Sequence, residues 1–332
     1  MNLQPKYRIY LAPFQGITTR VFRDVYTRHF KGTDKLFTAF FTSIYSTKSL
    51  HSRKNELAET SHNGVPVVPQ ILSKDANEML LFGKLCQELG FEEINWNLGC
   101  PFPRVARKMR GSGLLPHPQK VEEILEAVIP QLPLKLSVKC RLGYHSSDEI
   151  TALLPVFNKF PLSEIIVHTR IGEQMYKGGV DTDTFAKVLQ ASCHQTVYNG
   201  DIFSPEDFAV IKQRFPQQSL WMMGRGLLAD PFLPMLIKGK KMPTEPFKVI
   251  RKYVDDLYFA YRQNFNDSLR AINVMKELWG WLSLSFDQPQ KVFGKIKKRV
   301  SFDAYEEAVN KVFEDYVWEG EGGKRLKEKV KS

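Results

Sequence analysis

Asn95-Trp96-Asn97-Leu98-Gly99-Cys100-Pro101 is the segment that best indicates how this chain folds. It follows Phe91-Glu92-Glu93-Ile94, so an apolar, strand-like run leads into a glycine, a cysteine and a proline. These three residues end a strand and begin a loop, because glycine admits unusual backbone angles and proline lacks an amide donor. Free cysteine is otherwise among the most buried residue types. If other strands along the chain also end in loops with polar side chains, Cys100 is more readily interpreted as a ligand-binding residue than as a packing residue.

The pattern does recur, as eight short apolar or β-branched runs, most of them followed by a segment of helical length. The predicted strands are Arg8–Ala12, Lys35–Phe41, Val65–Ile71, Glu93–Leu98, Leu134–Cys140, Glu164–His168, Thr196–Asn199 and Ser219–Met223. The predicted helices between them include Ala76–Leu89, Pro118–Ile129, Asp148–Asn158, Asp183–Gln190 and Pro205–Arg214.

Strands that alternate with helices predict βαβ units and a parallel sheet. Eight such units in about 250 residues predict a closed α/β fold, the (β/α)8 TIM barrel. An open doubly wound sheet is the alternative. It would place a GxGxxG turn after the first strand, and Leu11-Ala12-Pro13-Phe14-Gln15-Gly16 is not such a turn.

The pattern changes after Met242, where prolines and the run Gly239-Lys240-Lys241 indicate a boundary. We predict a catalytic barrel over 1–242 and a small all-helical C-terminal domain over 243–332. The predicted helices there are Phe247–Asn264, Ser268–Leu284 and Ser301–Trp318. Lys291–Arg299 and the tail Lys324–Lys331 are dense in basic residues, and each is either a binding surface or a solvated, loosely held segment.

Composition narrows the class of protein. The net charge of +11 over 332 residues implies attraction to polyanions, most simply a nucleic acid. The four cysteines contain no CxxC pair, which argues against a zinc site and a disulfide scaffold and favours a reduced compartment. The N-terminus lacks the features of a signal peptide, and no stretch is long and apolar enough to span a membrane. We expect a soluble, cytoplasmic monomer with no metal and no membrane partner.

In a barrel of this type the chemistry lies at the carboxyl ends of the strands. The candidate residues at those ends are Pro13, Phe14, Gln15, Gln70, Asn97, Cys100, Lys139, Arg141, His168, Arg170, Asn199, Gly200, Asp201, Gly224 and Arg225. Glycines after the last two strands predict a phosphate-binding site, and the guanidinium group of Arg225 could donate two hydrogen bonds to the phosphate. Lys139 and His168, on adjacent strands, can hold the electron-rich end of an aromatic cofactor. The alternative interpretation is a tight turn and rim residues that are bonded within the protein.

The order and spacing of these residues resemble the tRNA-dihydrouridine synthases, flavin-dependent enzymes that reduce uridines in tRNA. The resemblance runs from about Tyr10 to Leu228. It includes Leu11-Ala12-Pro13, Pro69-Gln70-Ile71, Asn97-Leu98-Gly99-Cys100-Pro101, Gly111-Ser112-Gly113-Leu114-Leu115, Val138-Lys139, His168-Thr169-Arg170, Asn199-Gly200-Asp201 and Met223-Gly224-Arg225-Gly226. The helical remainder is similar too, since members of the family grip tRNA with a C-terminal helical domain.

The resemblance implies a role for each candidate residue. Pro13, Phe14 and Gln15 would line FMN through their backbones, and Gln70, Lys139 and His168 would bond its ring system. The flavin phosphate would be held by Asn199, Gly200, Asp201, Gly224 and Arg225. Cys100 would be the proton donor, Asn97 would lie beside the target base, and Arg141 and Arg170 would contact the base or the RNA. NADPH is the implied reductant.

The chain departs from the family pattern in three places. Phe14 stands where methionine is usual, Ala106 stands where many members have asparagine, and Phe102-Pro103 replace smaller or charged residues. The segment from Phe102 to Lys108 is therefore where substrate contacts are hardest to infer from the resemblance.

The implied reaction passes a hydride from reduced FMN to carbon 6 of uracil and a proton from Cys100 to carbon 5. The uridine must leave the RNA stack to reach the site. Two other functions stay open at this point: an FMN barrel that acts on a free pyrimidine or another small molecule, and a non-catalytic RNA-binding protein with an enzyme-like barrel.

Overall fold

The computed structural model describes residues 7–46 and 54–331. Eight parallel strands form its centre: β1 (Arg8–Leu11), β2 (Leu36–Phe37), β3 (Val65–Val68 and Gln70–Ile71), β4 (Glu93–Leu98), β5 (Lys135–Gly143), β6 (Ile165–Ile171), β7 (Thr196–Asn199) and β8 (Leu220–Met223). Seven are hydrogen-bonded in the order β1-β8-β7-β6-β5-β4-β3. The ring closes because β2 pairs with β3 and Tyr10 of β1 bridges to Lys35, just before β2. The predicted (β/α)8 barrel is confirmed.

The strand boundaries differ from the sequence prediction where local chemistry intervenes. Pro69 divides β3, because proline has no amide hydrogen for the ladder. β5 and β6 extend to Gly143 and Ile171, beyond their predicted ends, and the register shifts between Arg141 and Gly143. These longer strands carry their final residues above the rim of the barrel.

The helices surround the barrel and continue beyond it. They are α1 (Arg20–His29), α2 (Ala76–Glu88), α3 (Pro103–Ala106), α4 (Pro118–Val128), α5 (Glu149–Phe157), α6 (Thr182–Ala191), α7 (Pro205–Arg214), α8 (Arg225–Ala229), α9 (Leu233–Ile237), α10 (Pro246–Asn264), α11 (Arg270–Leu282), α12 (Pro289–Lys297), α13 (Phe302–Asp315) and α14 (Gly322–Lys331). Side chains cap several first turns: Asp75 accepts from the amide of Glu78, and Ser204 accepts from that of Asp207.

The helices after residue 242 pack directly on the barrel. The Tyr261 and Thr19 hydroxyls lie 2.7 Å apart, and the ring centroids of Phe30 and Tyr253 lie 4.9 Å apart. Buried side chains from both parts form one continuous hydrophobic cluster. The division of the chain after residue 242 stays a prediction, and the helical segment shares a buried core with the barrel.

The basic tail is helical rather than loose. Leu326 of α14 is buried, and Arg325 donates to the carbonyls of Leu284 and Phe286 at 2.6 and 2.5 Å. A side chain on Gly323 would collide with the backbone of Phe203, so the helix rests closely on the loop after β7.

None of the helices in the described ranges is long and apolar enough to cross a membrane.

Candidate active site

The carboxyl ends of β1, β5, β6, β7 and β8 enclose one pocket. Nine of the predicted cofactor residues line it: Pro13, Phe14, Lys139, His168, Asn199, Gly200, Asp201, Gly224 and Arg225. Two do not. Gln15 is exposed on the loop after β1, and Gln70 is buried inside the barrel. The assignment of all eleven to a cofactor stays a prediction, but the fold brings nine of them to one place.

The pocket carries an excess of positive charge. Lys139 donates to the Asn199 side-chain oxygen at 2.9 Å, and no carboxylate of the described residues is paired with it. Burial, aided by Arg141, lowers the Lys139 pKa to about 8. Burial also pushes the His168 pKa well below its ordinary value, and the nearby Arg and Lys cations add to the effect, so the ring is neutral at pH 7. Within the described chain, the ring nitrogens of His168 have no hydrogen-bond partner, so they remain available to a ligand.

The one carboxylate in the pocket wall lies between two arginines. Asp201 accepts from Arg170 at 2.7 and 2.5 Å and from Arg225 at 2.7 Å. Arg170 also donates to the carbonyl of Gly178 at 2.6 Å, and its side chain is completely buried. The Arg170 guanidinium therefore donates its hydrogen bonds to groups beneath the pocket, not to groups at its opening. The predicted contact of Arg170 with RNA stays a prediction, and the structure gives it a clear role in holding Asp201.

Glycines are needed where the pocket loops approach their neighbours. A Cβ on Gly200 would lie 2.6 Å from the hydroxyl oxygens of Thr169 and Tyr198, and one on Gly224 would lie 3.0 Å from the Phe14 ring. Only glycine fits at these two positions, and its lack of a side chain lets the backbone of each loop lie close to the pocket. The residues present fit an anionic, partly aromatic cofactor, because a neutral imidazole, an ammonium group without a carboxylate and glycine-rich loops all face one cavity.

Cys100 lies in a rigid turn at the end of β4. The Asn97 side-chain oxygen accepts the amides of Gly99 and Cys100 at 3.0 and 2.9 Å. The amide and hydroxyl of Ser112 both donate to the Cys100 carbonyl at 3.0 Å. Gly111, at φ +56°, packs so closely that a Cβ would lie 2.6 Å from that carbonyl. The loop of residues 97–112 therefore fixes the position of the thiol.

The protonation state of Cys100 suits a proton donor. The thiol is only 7% exposed, and this burial raises its pKa, while the backbone amide of Phe102, then Arg141 and Arg104, partly oppose the effect. The thiol is therefore protonated at neutral pH. Arg141 is held next to the loop, since it donates to the Gly99 carbonyl at 3.0 Å and to the Ile171 carbonyl at 2.8 Å.

A ladder of buried amides supports Asn97 from below. Asn97 donates to the Gln70 side-chain oxygen at 2.7 Å, and Gln70 donates to the Asn95 side-chain oxygen at 2.7 Å. Asn95 in turn donates to the Ser137 hydroxyl at 2.9 Å. Sequence reasoning missed Asn95 and Ser137. The available signal was alternation: Asn95 and Asn97 are two apart on one strand, so they share a face inside the barrel.

Tyr176 is a second residue that sequence reasoning missed. It lies in the loop after β6, with its ring 5.4 Å from the Arg141 guanidinium carbon, 5.1 Å from that of Arg225 and 6.3 Å from the His168 ring. It lines the pocket and is 38% exposed. Two cation–π contacts hold the ring over the charged part of the site. The sequence around Tyr176 gives little indication of this role, because it shows only one aromatic residue in a loop that contains several glycines.

Comparison with known proteins decides the family. A family model described as "Dihydrouridine synthase (Dus)" matches residues 10–309. The chain belongs to this family. Among its relatives, tRNA-dihydrouridine synthase B of Pasteurella multocida is 29% identical over 274 residues, covering 78% of this chain and 80% of the relative. The tRNA-dihydrouridine(16) synthase of Neisseria meningitidis serogroup A is 27% identical over 306 residues, covering 88% and 90%.

Solved structures support the fold. Histamine dehydrogenase from Rhizobium sp. 4-9 superposes with a TM-score of 0.55 at 12% identity, covering 78% of this chain and 50% of that one. An old yellow enzyme homologue from Zymomonas mobilis gives 0.51 at 10% identity, covering 73% and 91%. The predicted family is confirmed, and with it the prediction of a flavin-dependent oxidoreductase with a barrel fold. The roles of individual residues stay predictions.

Proposed function

We propose that this protein is a tRNA-dihydrouridine synthase that reduces the carbon 5–carbon 6 double bond of uridines in tRNA, with FMN as cofactor and NADPH as reductant. The observation that carries the proposal is the buried, protonated Cys100 thiol, fixed at the mouth of β4 beside a pocket rich in cations. The names of the relatives support the same substrate and reaction.

When bound, reduced FMN supplies the hydride that carbon 6 of uracil receives. The protein's own contribution is the proton for carbon 5, which Cys100 holds at Sγ. Burial keeps the thiol protonated until it is needed, and Arg141 offsets the cost of the thiolate that the transfer leaves behind. Because Arg141 is anchored on the Gly99 carbonyl, its charge stays near the thiol throughout.

The pocket residues would hold the cofactor by complementary chemistry. Lys139 and His168 would donate to the electron-rich end of the ring system, and an anion there would offset the loss of hydration and the repulsion by Arg141 that now lower the Lys139 pKa. The loops of Gly200 and Gly224, with Arg225, would hold the phosphate. Phe14 and Tyr176 would pack against the planar ring system, which excludes water from the reacting atoms.

The tRNA would be held by charge. The net charge of +11 favours a polyanion, and the exposed basic residues include Lys297 and Lys298 at the end of α12. Arg141 would face the target base beside Asn97. Which uridine is modified is not set by the barrel chemistry, and the relatives carry different designations. We expect the enzyme to act in the cytoplasm as a monomer without a metal.

The test is to incubate the protein with unmodified tRNA, FMN and NADPH and to map dihydrouridine by position. We expect the modification at one position or a few, and its loss when Cys100 is replaced by alanine. If no RNA accelerates reoxidation of the reduced flavin but a free pyrimidine does, the enzyme acts on small molecules instead. A protein that cannot be reconstituted with FMN would point to a non-catalytic RNA-binding role.

A further inference from the structure

Phe102 exposes a large apolar side chain two residues from the proposed proton donor. Its side chain is 45% exposed, and no aromatic ring of the described residues packs against it. The backbone beneath it is rigid. Pro101 and Pro103 flank it, Pro103 begins α3, and the Phe102 carbonyl accepts the amides of Val105 and Ala106 at 2.8 and 3.0 Å. The ring is therefore carried by a fixed turn next to the proposed proton donor, not by a loose loop.

The residues after Phe102 give this exposed ring a strongly basic setting. Arg104, Arg107 and Lys108 are all exposed, and none of them forms an ion pair with the Asp and Glu residues that the structure describes. Arg110 differs, because it turns inward to the Thr42 hydroxyl at 3.2 Å. An exposed aromatic face beside unpaired cations is the combination by which proteins bind single-stranded nucleic acid. A protein partner with an apolar surface would leave these cations without counter-charges.

We propose that Phe102 stacks on the nucleobase adjacent to the target uridine while that uridine occupies the site. The proposal rests on the proposed function. A uridine that leaves the RNA stack exposes the face of its neighbour, and restoring that stacking on a protein ring lowers the cost of the extruded state. The phenyl ring is near the reacting atoms, since the backbone amide of Phe102 lies within hydrogen-bonding reach of the Cys100 thiol. Arg104, Arg107 and Lys108 would meet the phosphates on either side.

The first test compares three substitutions of Phe102 on tRNA. Phe102→Ala should lower kcat/KM by about 5- to 150-fold, the factor that corresponds to one base–aromatic stacking contact. Phe102→Leu, which keeps apolar bulk but has no aromatic face, should fall in the same range, whereas Phe102→Tyr should stay within about twofold of the wild type. The flavin spectrum and the rate of flavin reduction by NADPH should be unchanged in all three. Val210→Ala, an exposed apolar position on the outer face of α7, is the control.

The second test removes the RNA side of the contact. On tRNA with an abasic nucleotide beside the mapped uridine, the kcat/KM of the wild type should fall to that of Phe102→Ala, and the kcat/KM of Phe102→Ala should fall little further.

Equal kcat/KM for wild type and Phe102→Ala on intact tRNA would overturn the stacking role while leaving the proposed function intact. Full activity of Phe102→Leu would overturn it too, in favour of a simple apolar wedge. A change in molecular mass by sedimentation with no change in kcat/KM would show instead that the ring joins two copies of the chain. Absence of dihydrouridine with the wild type would overturn the proposed function itself.

Discussion

Replacing Lys139 with methionine should stabilise the flavin-free protein while weakening its hold on the flavin. Lys139 is half-buried in the pocket wall with one neutral hydrogen-bond partner, Asn199. Its folded-state pKa is about 8, against an ordinary value of 10.5. Below pH 8 the ammonium group is charged in both the folded and the unfolded chain, so folding carries the full cost of burying that charge.

The magnitude follows from the pKa shift. A folded-state pKa of about 8 in place of 10.5 corresponds to about 3 kcal/mol, and the partial exposure of the side chain reduces this to about 2–3 kcal/mol. Methionine keeps the apolar stem but leaves the Asn199 oxygen without its donor, which costs about 1 kcal/mol. The net expectation is an increase of about 1–2 kcal/mol in the free energy of unfolding at pH 7.

The pH dependence of the free energy of unfolding tests whether Lys139 destabilises the folded protein. The wild type binds one proton fewer at this site when folded than when unfolded between pH 8 and 10.5, so its stability rises across that window. Lys139→Met lacks this rise, and its advantage should shrink as the pH increases. Urea unfolding of the flavin-free proteins at several pH values measures the difference, with Lys187→Met on the exposed face of α6 as control. A Lys139→Met protein less stable than the wild type at pH 7 would refute the reasoning.

Four further predictions address other parts of the site. Cys100→Ala should keep its flavin but reduce single-turnover dihydrouridine formation by about 10²- to 10⁴-fold, and an unaltered rate would remove Cys100 from the acid role. Arg225→Ala should lose flavin on gel filtration, as read from the absorbance of the protein peak; a fully yellow peak would contradict the phosphate assignment. Asn95→Leu leaves two buried partners unpaired and should lower the free energy of unfolding, measured in urea, by about 2–4 kcal/mol; an unchanged value would show that these hydrogen bonds add nothing to stability. Lys297→Glu with Lys298→Glu should raise the KM for tRNA and flatten its salt dependence without changing flavin reduction; constant values would make that surface only a solvated face.

Much of the barrel could be predicted because its determinants are local. Apolar runs ending in glycine, asparagine or histidine mark the strands, and the repeat of strand and helix leaves few topologies open. The same logic located Lys139, His168 and Asn199, since the carboxyl ends of parallel strands meet at one rim. The departures were local as well: Pro69 interrupts β3, and a register shift after Arg141 lengthens β5.

What could not be predicted was which polar groups pair with one another. Arg141 and Arg170 look alike in the sequence, each just past an apolar run. The fold anchors Arg141 next to the thiol loop and places Arg170 under the pocket, bonded to Asp201. Those pairings depend on strand register and on the paths of loops distant in the chain, which no local pattern encodes.

The sequence by itself was enough to predict the barrel, the family and the thiol at the end of β4, because each depends on particular residue types at short, fixed spacings. Only the tertiary structure decided that Asn95 and Ser137 support Gln70 and Asn97, and that Tyr176 covers the charged rim. Those contacts join segments up to 49 residues apart, such as Tyr176 and Arg225. They form because folding removes water from polar groups, and each buried group must then find whatever partner the closed barrel places beside it.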